Sequence, residues 1–259
     1  MSDAFADHFS EHASDYARYR PTYPDALFET VTSYCPSLDL VWDCGTGNGQ
    51  AAVRLAEWAN HVVATDASDE QIRAATPHPR VEYRVEPAGA VSIEDSSVDL
   101  VTVAQALHWF DLDAFYAEVR RVLRPRGVIA AWTYTLFSVA PGEAGAGAIN
   151  TVLQRYYDDV VGAYWPPERR HIEQGYRSLP FPFKEWDVPD LEIKTDWTLE
   201  DVVGYMRTWS ASQRYRADRQ ADPVAEIDEA LSAAWGSPDR ERTLQWPVPI
   251  RIGRREAGR

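Results

Sequence analysis

Residues 41–50 read Val-Trp-Asp-Cys-Gly-Thr-Gly-Asn-Gly-Gln, and no other stretch limits the fold as much. An apolar start leads to the acid Asp43, then to glycines at 45, 47 and 49, then to a helix-forming run over 51–58. That order predicts a strand ending near Asp43, a turn without side chains, and a helix from about Asn48. Such a corner suits a nucleotide. Glycine lets backbone approach a ligand that a Cβ would hold off, and amides at a helix start attract polar or anionic groups. The glycines alone leave two readings, because Gly47, Gly49 and Ala52 also satisfy the G-x-G-x-x-A form of a dinucleotide-binding turn.

Segments that read as strands lie at 38–43, 61–65, 81–85, 98–104 and 128–132, with helical stretches at 25–34, 49–58, 68–75 and 114–123. The run at 98–104, apolar apart from Asp99 and Thr102, reads as a strand buried on both faces. Directly after it stands Gln105-Ala106-Leu107-His108-Trp109-Phe110-Asp111. In an open α/β sheet ligands bind beyond the carboxyl ends of the strands, which puts this segment beside a ligand's reactive end.

Asp43, Gly45, Gly47 and Gly49 match, position for position, the first motif of the class I S-adenosylmethionine (SAM) methyltransferases, which the chain resembles. The likeness runs through 104–111 and Arg120-Arg121-Val122-Leu123-Arg124-Pro125-Arg126-Gly127, over most of residues 5–135. It is similar to the methyltransferase type 11 group and its trans-aconitate methyltransferase-like small-molecule enzymes. The resemblance implies an α/β, Rossmann-like, doubly wound seven-stranded sheet, mostly parallel with an antiparallel edge strand, plus a helical cap. It also implies SAM as cofactor, S-adenosylhomocysteine as product, and a small-molecule acceptor.

Site residues follow from position and resemblance together. Gly45, Gly47 and Gly49, with Asp43 ahead of them, form the cofactor turn. Asp66, about twenty residues beyond it, is placed for ribose hydroxyls, with Ala67 beside it. The plainer reading of Asp66 is a helix cap. The acid that in the family holds adenine is replaced by Pro87, leaving the backbone of Ala88 or the side chain of Glu86. Gln105 follows the fourth strand. In the N-terminal segment Tyr16 or Arg20 could meet the methionine carboxylate, as the arm of such enzymes folds over the cofactor. Tyr16, Trp109 and Tyr134 are candidate faces for the sulfonium cation. Trp109, Tyr134 and Arg207 are expected to line the substrate pocket, with Arg214 a further partner for an acid. His108 is the candidate base for a hydroxyl acceptor, because an unperturbed imidazole titrates near neutrality; a carboxylate acceptor needs none.

The expected division is an arm over 1–37, a cofactor core over 38–135, a cap over 136–190 and 198–242, and strands 191–197 and 243–253 closing the sheet. Pro247 and Pro249 would force the last strand to an edge or bulge. Net charge of −14 argues against nucleic acid as a partner. There is no apolar run of membrane-spanning length and no basic-flanked signal, which implies no membrane partner and a cytoplasmic location. Cys35 and Cys44 read as free thiols, with no metal site. The only lysines are Lys184 and Lys194, a composition that a salt-adapted host or a GC-rich genome would both give. The alternatives are an NAD(P)-dependent oxidoreductase, weakened by Asp43 and by the segment after the fourth strand, and a non-catalytic SAM-binding protein.

Overall fold

The computed structural model describes residues 19–256, so Tyr16 lies outside the described residues. The described strands are β1 (Leu40–Cys44), β2 (His61–Asp66), β3 (Val81–Val85), β4 (Val98–Ala104), β5 (Leu123–Trp132), β6 (Ser138–Val139), β7 (Lys184–Glu185), β8 (Glu192–Trp197), β9 (Arg242–Pro247) and β10 (Ile250–Arg254). The chain forms two compact units. Among the described residues, one takes 23–135, 170–191 and 248–256; the other takes 19–22, 136–169 and 192–247.

The first unit carries a seven-stranded sheet in the order β3-β2-β1-β4-β5-β10-β7. Strands β1 to β5 are parallel, and β10 runs antiparallel to both β5 and β7. Residues 98–103 of β4 are all buried, as in a central parallel strand, with Asp99 and Thr102 taken in along with the apolar residues. Helix Leu112–Val122 is capped by Asp111, which accepts from the Ala114 amide at 3.2 Å, and it buries Phe115, Tyr116, Val119 and Val122 along one stripe. At the opposite end from the glycine turn, Asp99 fastens β4 to β1. Its carboxylate accepts from Ser37 Oγ (2.6 Å), the amides of Asp39 (2.7 Å) and Leu40 (3.1 Å), and Arg124 (2.7 Å).

The expected seven-stranded, mostly parallel sheet is present, with its antiparallel strand one place in from the edge. Two strand assignments need correction. Residues 192–197 and 242–247 belong to a separate antiparallel sheet, β6-β9-β8, in which Glu192 pairs with Pro247 and Trp197 with Arg242. Only 250–254 of the expected final strand joins the large sheet, pairing Ile250 with Trp132 and Arg254 with Val128. The prolines cause the split, since neither offers an amide to a ladder. Between them Val248 donates to Leu191 O, and Pro249 O accepts from the Thr133 amide. Segment 170–190, expected in the cap, supplies Ile172, Tyr176 and Phe181 to the core cluster under the large sheet.

The second unit packs its small sheet with helices Ala146–Arg155, Leu199–Arg207, Ser210–Arg219 and Asp228–Trp235. Thr198 and Asp201 form a reciprocal capping box at Leu199. After Arg155 the first of these helices gives way to a wider turn, Tyr156–Val160. The core of this unit is aromatic: Phe137 stacks on Trp246 at 5.2 Å and meets Tyr205 edge-on at 5.5 Å.

Candidate functional site

The turn after β1 is held from behind by a fully buried acid. Asp43 has no exposed surface, and its two oxygens accept the hydroxyls of Thr46 and Thr102, each at 2.6 Å. Burial lifts its pKa to about 6, against the pull of the two threonine bonds. Gly45, Gly47 and Gly49 all have positive φ, between +56° and +85°. Two of them are closely covered. A Cβ on Gly45 would stand 2.6 Å from Ala106 Cβ, and one on Gly49 would stand 2.3 Å from the Tyr83 hydroxyl. Gly47 differs, since its missing Cβ would have only Gln71 Oε1 nearby, at 3.6 Å. The turn thus has a packed side and an open side.

The amides expected to be open at this turn are largely used within it. Gly45 and Thr46 donate to Thr65 O at 2.8 and 3.0 Å, and Gly47 donates to Asp66 Oδ2 at 2.9 Å. Asp66 therefore points at the glycine turn, while its Oδ1 accepts from the Ser68 amide at 2.9 Å. Burial raises its pKa above the ordinary value, partly offset by the amides of Ser68, Gly47 and Ala67. Three amides occupy part of the roughly four acceptor positions of an ionised carboxylate, so capacity remains for a hydroxyl donor. Ser68 caps the following helix, accepting from the Gln71 amide at 3.3 Å.

Beyond β4 the chain turns sharply at Gln105, whose φ of +60° is unusual for a residue with a side chain. Its amide donates to Trp132 O at 3.0 Å, and its Oε1 accepts the Thr133 hydroxyl at 2.5 Å. The turn delivers the short helix Leu107–Trp109 against the glycine corner, because Ala106 and Phe110 are the atoms a Gly45 Cβ would strike. His108 lies on this turn, partly buried, its ring 4.7 Å from that of Trp109, and its Nδ1 is 3.1 Å from the Tyr176 hydroxyl. Tyr134, after β5, is buried with its ring 6.3 Å from that of Tyr23.

Glu86 folds back on Ser92, accepting from its amide at 3.0 Å and from its hydroxyl. Ala88 packs against the core cluster, and Gly89 lies against Ala114 at the start of helix Leu112–Val122. In the other unit, Arg20 donates to Thr208 O at 3.4 Å and sits over the Tyr205 ring at 5.5 Å. Arg207 is ion-paired with Asp222, Nε at 2.8 Å and a terminal nitrogen at 2.7 Å, and Arg216 reaches the same carboxylate at 3.1 Å. Burial would raise Asp222, but these two arginines outweigh it and hold the carboxyl below its ordinary value. Arg214 donates to Tyr164 O at 3.4 Å.

The first unit thus brings together Asp43, the three glycines, Asp66 and 105–110. Sequence reasoning missed Thr46, Thr102, Tyr83 and Tyr176. Thr46 stands inside the glycine motif and could have been found there; the other three are reached only through tertiary contacts.

A family model described as a methyltransferase domain matches residues 42–131. A protein from Dictyostelium discoideum assigned as a methyltransferase is 33% identical over 257 residues, covering 97% of this chain and 96% of that one. A Saccharomyces cerevisiae protein assigned as SAM-dependent is 29% identical over 176 residues, or 63% of this chain and 59% of its own. Among solved structures, one assigned as a type II methyltransferase from Anaeromyxobacter dehalogenans shares 47% identity with a TM-score of 0.85, covering 91% of this chain and 98% of that one. An acid-backed glycine turn, a carboxylate aimed at it from the end of β2, and near full-length similarity to such proteins agree: this chain belongs to the SAM-dependent methyltransferases.

Proposed function

We propose that this methyltransferase transfers the methyl group of SAM to an oxygen, carboxylate or hydroxyl, of a small-molecule acceptor. The observation that carries the reading is the contact of Gly45 with Ala106 and Phe110, which sets the post-β4 turn and His108 beside the cofactor corner. The residues present fit the group. Gly47 leaves open the space a Cβ would fill, Asp66 keeps acceptor capacity for ribose hydroxyls, and the buried Asp43 with the half-buried Asp66 favours a cationic ligand. Bound SAM supplies an electrophilic methyl on a cationic sulfur.

The protein's part is to align the acceptor and exclude water, which is catalysis by proximity. In this reading Asp43 positions the turn from behind, while Gly45, Gly47, Gly49, Asp66, Ala67, Ala88 and Gln105 surround the cofactor. Trp109 and Tyr134 contribute aromatic surface, and His108 takes the proton of a hydroxyl acceptor. The resemblance of 104–111 to trans-aconitate methyltransferase-like enzymes supports a carboxylate as one acceptor class, and the net charge of −14 supports a small molecule over nucleic acid.

Methyl-labelled SAM incubated with a panel of small carboxylic acids, phenols and amines tests the proposal. Label in O-methyl products is expected; label confined to amines or to macromolecules would overturn it. Asp66→Ala is expected to weaken SAM binding by about 10- to 100-fold in calorimetry, the equivalent of roughly 1.5–3 kcal/mol for hydrogen bonds to a charged group.

A further inference from the structure

Tyr176 is held in a conformation its side chain disfavours. Its φ is +63°, in the left-handed region, directly after Gly175 at +56°. A bulky aromatic there is strained, and such strain persists only where the surroundings over-determine it. They do so here. The Tyr176 amide donates to His171 O at 2.7 Å, and its carbonyl accepts from Arg251 at 2.9 Å. Arg251 also donates to Leu179 O at 2.8 Å, pairs with Glu185 at 2.6 Å, and lies over the Phe181 ring at 4.5 Å. Pro249 closes the other side, since a Cβ on Gly175 would stand 2.6 Å from its ring. The ring of Tyr176 is fully buried, and its hydroxyl ends 3.1 Å from His108 Nδ1 with the two rings inclined at 30°.

The geometry points to Tyr176 as a positioning residue for His108: its hydroxyl oxygen accepts Nδ1–H, so the neutral ring carries its lone pair on Nε2. The inference rests on the reading of His108 as the base beside the acceptor. A tyrosine that only filled the core would need no hydroxyl, because phenylalanine has nearly the same shape. A strained backbone that delivers a hydroxyl to one imidazole nitrogen does what the orienting member of a catalytic pair does: it selects a tautomer and fixes the ring.

Full-length protein labelled with 15N-histidine and saturated with S-adenosylhomocysteine tests this by two-bond 1H–15N correlation of the imidazoles, with His108→Gln assigning the signal. In the parent, neutral His108 is expected predominantly as the Nδ1–H tautomer. In Tyr176→Phe the population is expected to move toward Nε2–H, with circular dichroism unchanged. A parent spectrum showing the Nε2–H tautomer, or a Tyr176→Phe spectrum identical to the parent, would overturn the proposal. The parent spectrum decides even where the variant fails to fold. Because the readout uses no acceptor, a failed acceptor panel would count against oxygen methylation without touching this result.

Discussion

Asp43 is an acid kept for its shape and its bonds at a site where charge is costly. With its pKa near 6 in the fold and near 4 in the unfolded chain, the folded state holds the extra proton between those values. Stability from this group therefore falls as pH rises from about 4 to about 6, by up to roughly 3 kcal/mol. Asp43→Asn keeps the outline and removes the charge, so at pH 8 its urea midpoint is expected at or above the parent's. The parent's excess loss between pH 4 and 6.5 should vanish in the variant. Asp43→Ala strands two buried threonine hydroxyls and should lie below both by about 2 kcal/mol or more. A large loss in the asparagine variant at pH 8 would show that the charge itself holds the turn. Spacing alone made Asp43 legible as part of a cofactor corner, but not how it acts. Thr102, which takes one of its oxygens, lies on another strand, and the pairing of β1 with β4 is what brings them together.

At the scale of elements, the three glycines that look equivalent in sequence are not equivalent in place. Gly45→Ala forces a Cβ against Ala106 and also adopts left-handed φ, whereas Gly47→Ala meets open space and bears only the φ cost of about 1–2 kcal/mol. Denaturant unfolding should therefore show Gly45→Ala as the more destabilised by about 2 kcal/mol or more. Gly47→Ala should fold yet bind SAM more weakly in calorimetry, because its methyl would project into the open side of the turn. Asp99→Ala should cost about 3 kcal/mol in the same unfolding measurement, since it leaves the amides of Asp39 and Leu40 without their acceptor. The parallel strands were legible because β1, β2 and β4 are largely apolar segments between turn signals, while β3 alternates as Val-Glu-Tyr-Arg-Val. The last strands were not, because β9 and β10 read as a single run of alternating residues, and only the prolines at 247 and 249 hinted at two. Strand β7 has two residues and therefore no period to read. Which sheet a strand joins is decided by partners far away in sequence, as with β8.

The whole molecule carries a charge of −14, which repels itself in the compact state. Raising NaCl from about 0.01 M to about 1 M shortens the screening length from roughly 30 Å to roughly 3 Å. The thermal midpoint at pH 7.5 is therefore expected to rise by a few degrees. A midpoint that falls would mean that the arginine–carboxylate pairs outweigh the repulsion. Strand β10 has a consequence of another kind. Ile250–Arg254 slots between β5 and β7, each of which has been synthesised many residues earlier. Until it arrives, Val128–Trp132 presents a bare ladder of amides and carbonyls on an apolar strand, the kind of margin that recruits other chains. The emerging polypeptide is thus most exposed to misassembly while β10 is still to be made. Shortening the chain before Ile250 should be felt first as lost yield of soluble protein, ahead of any change in chemistry.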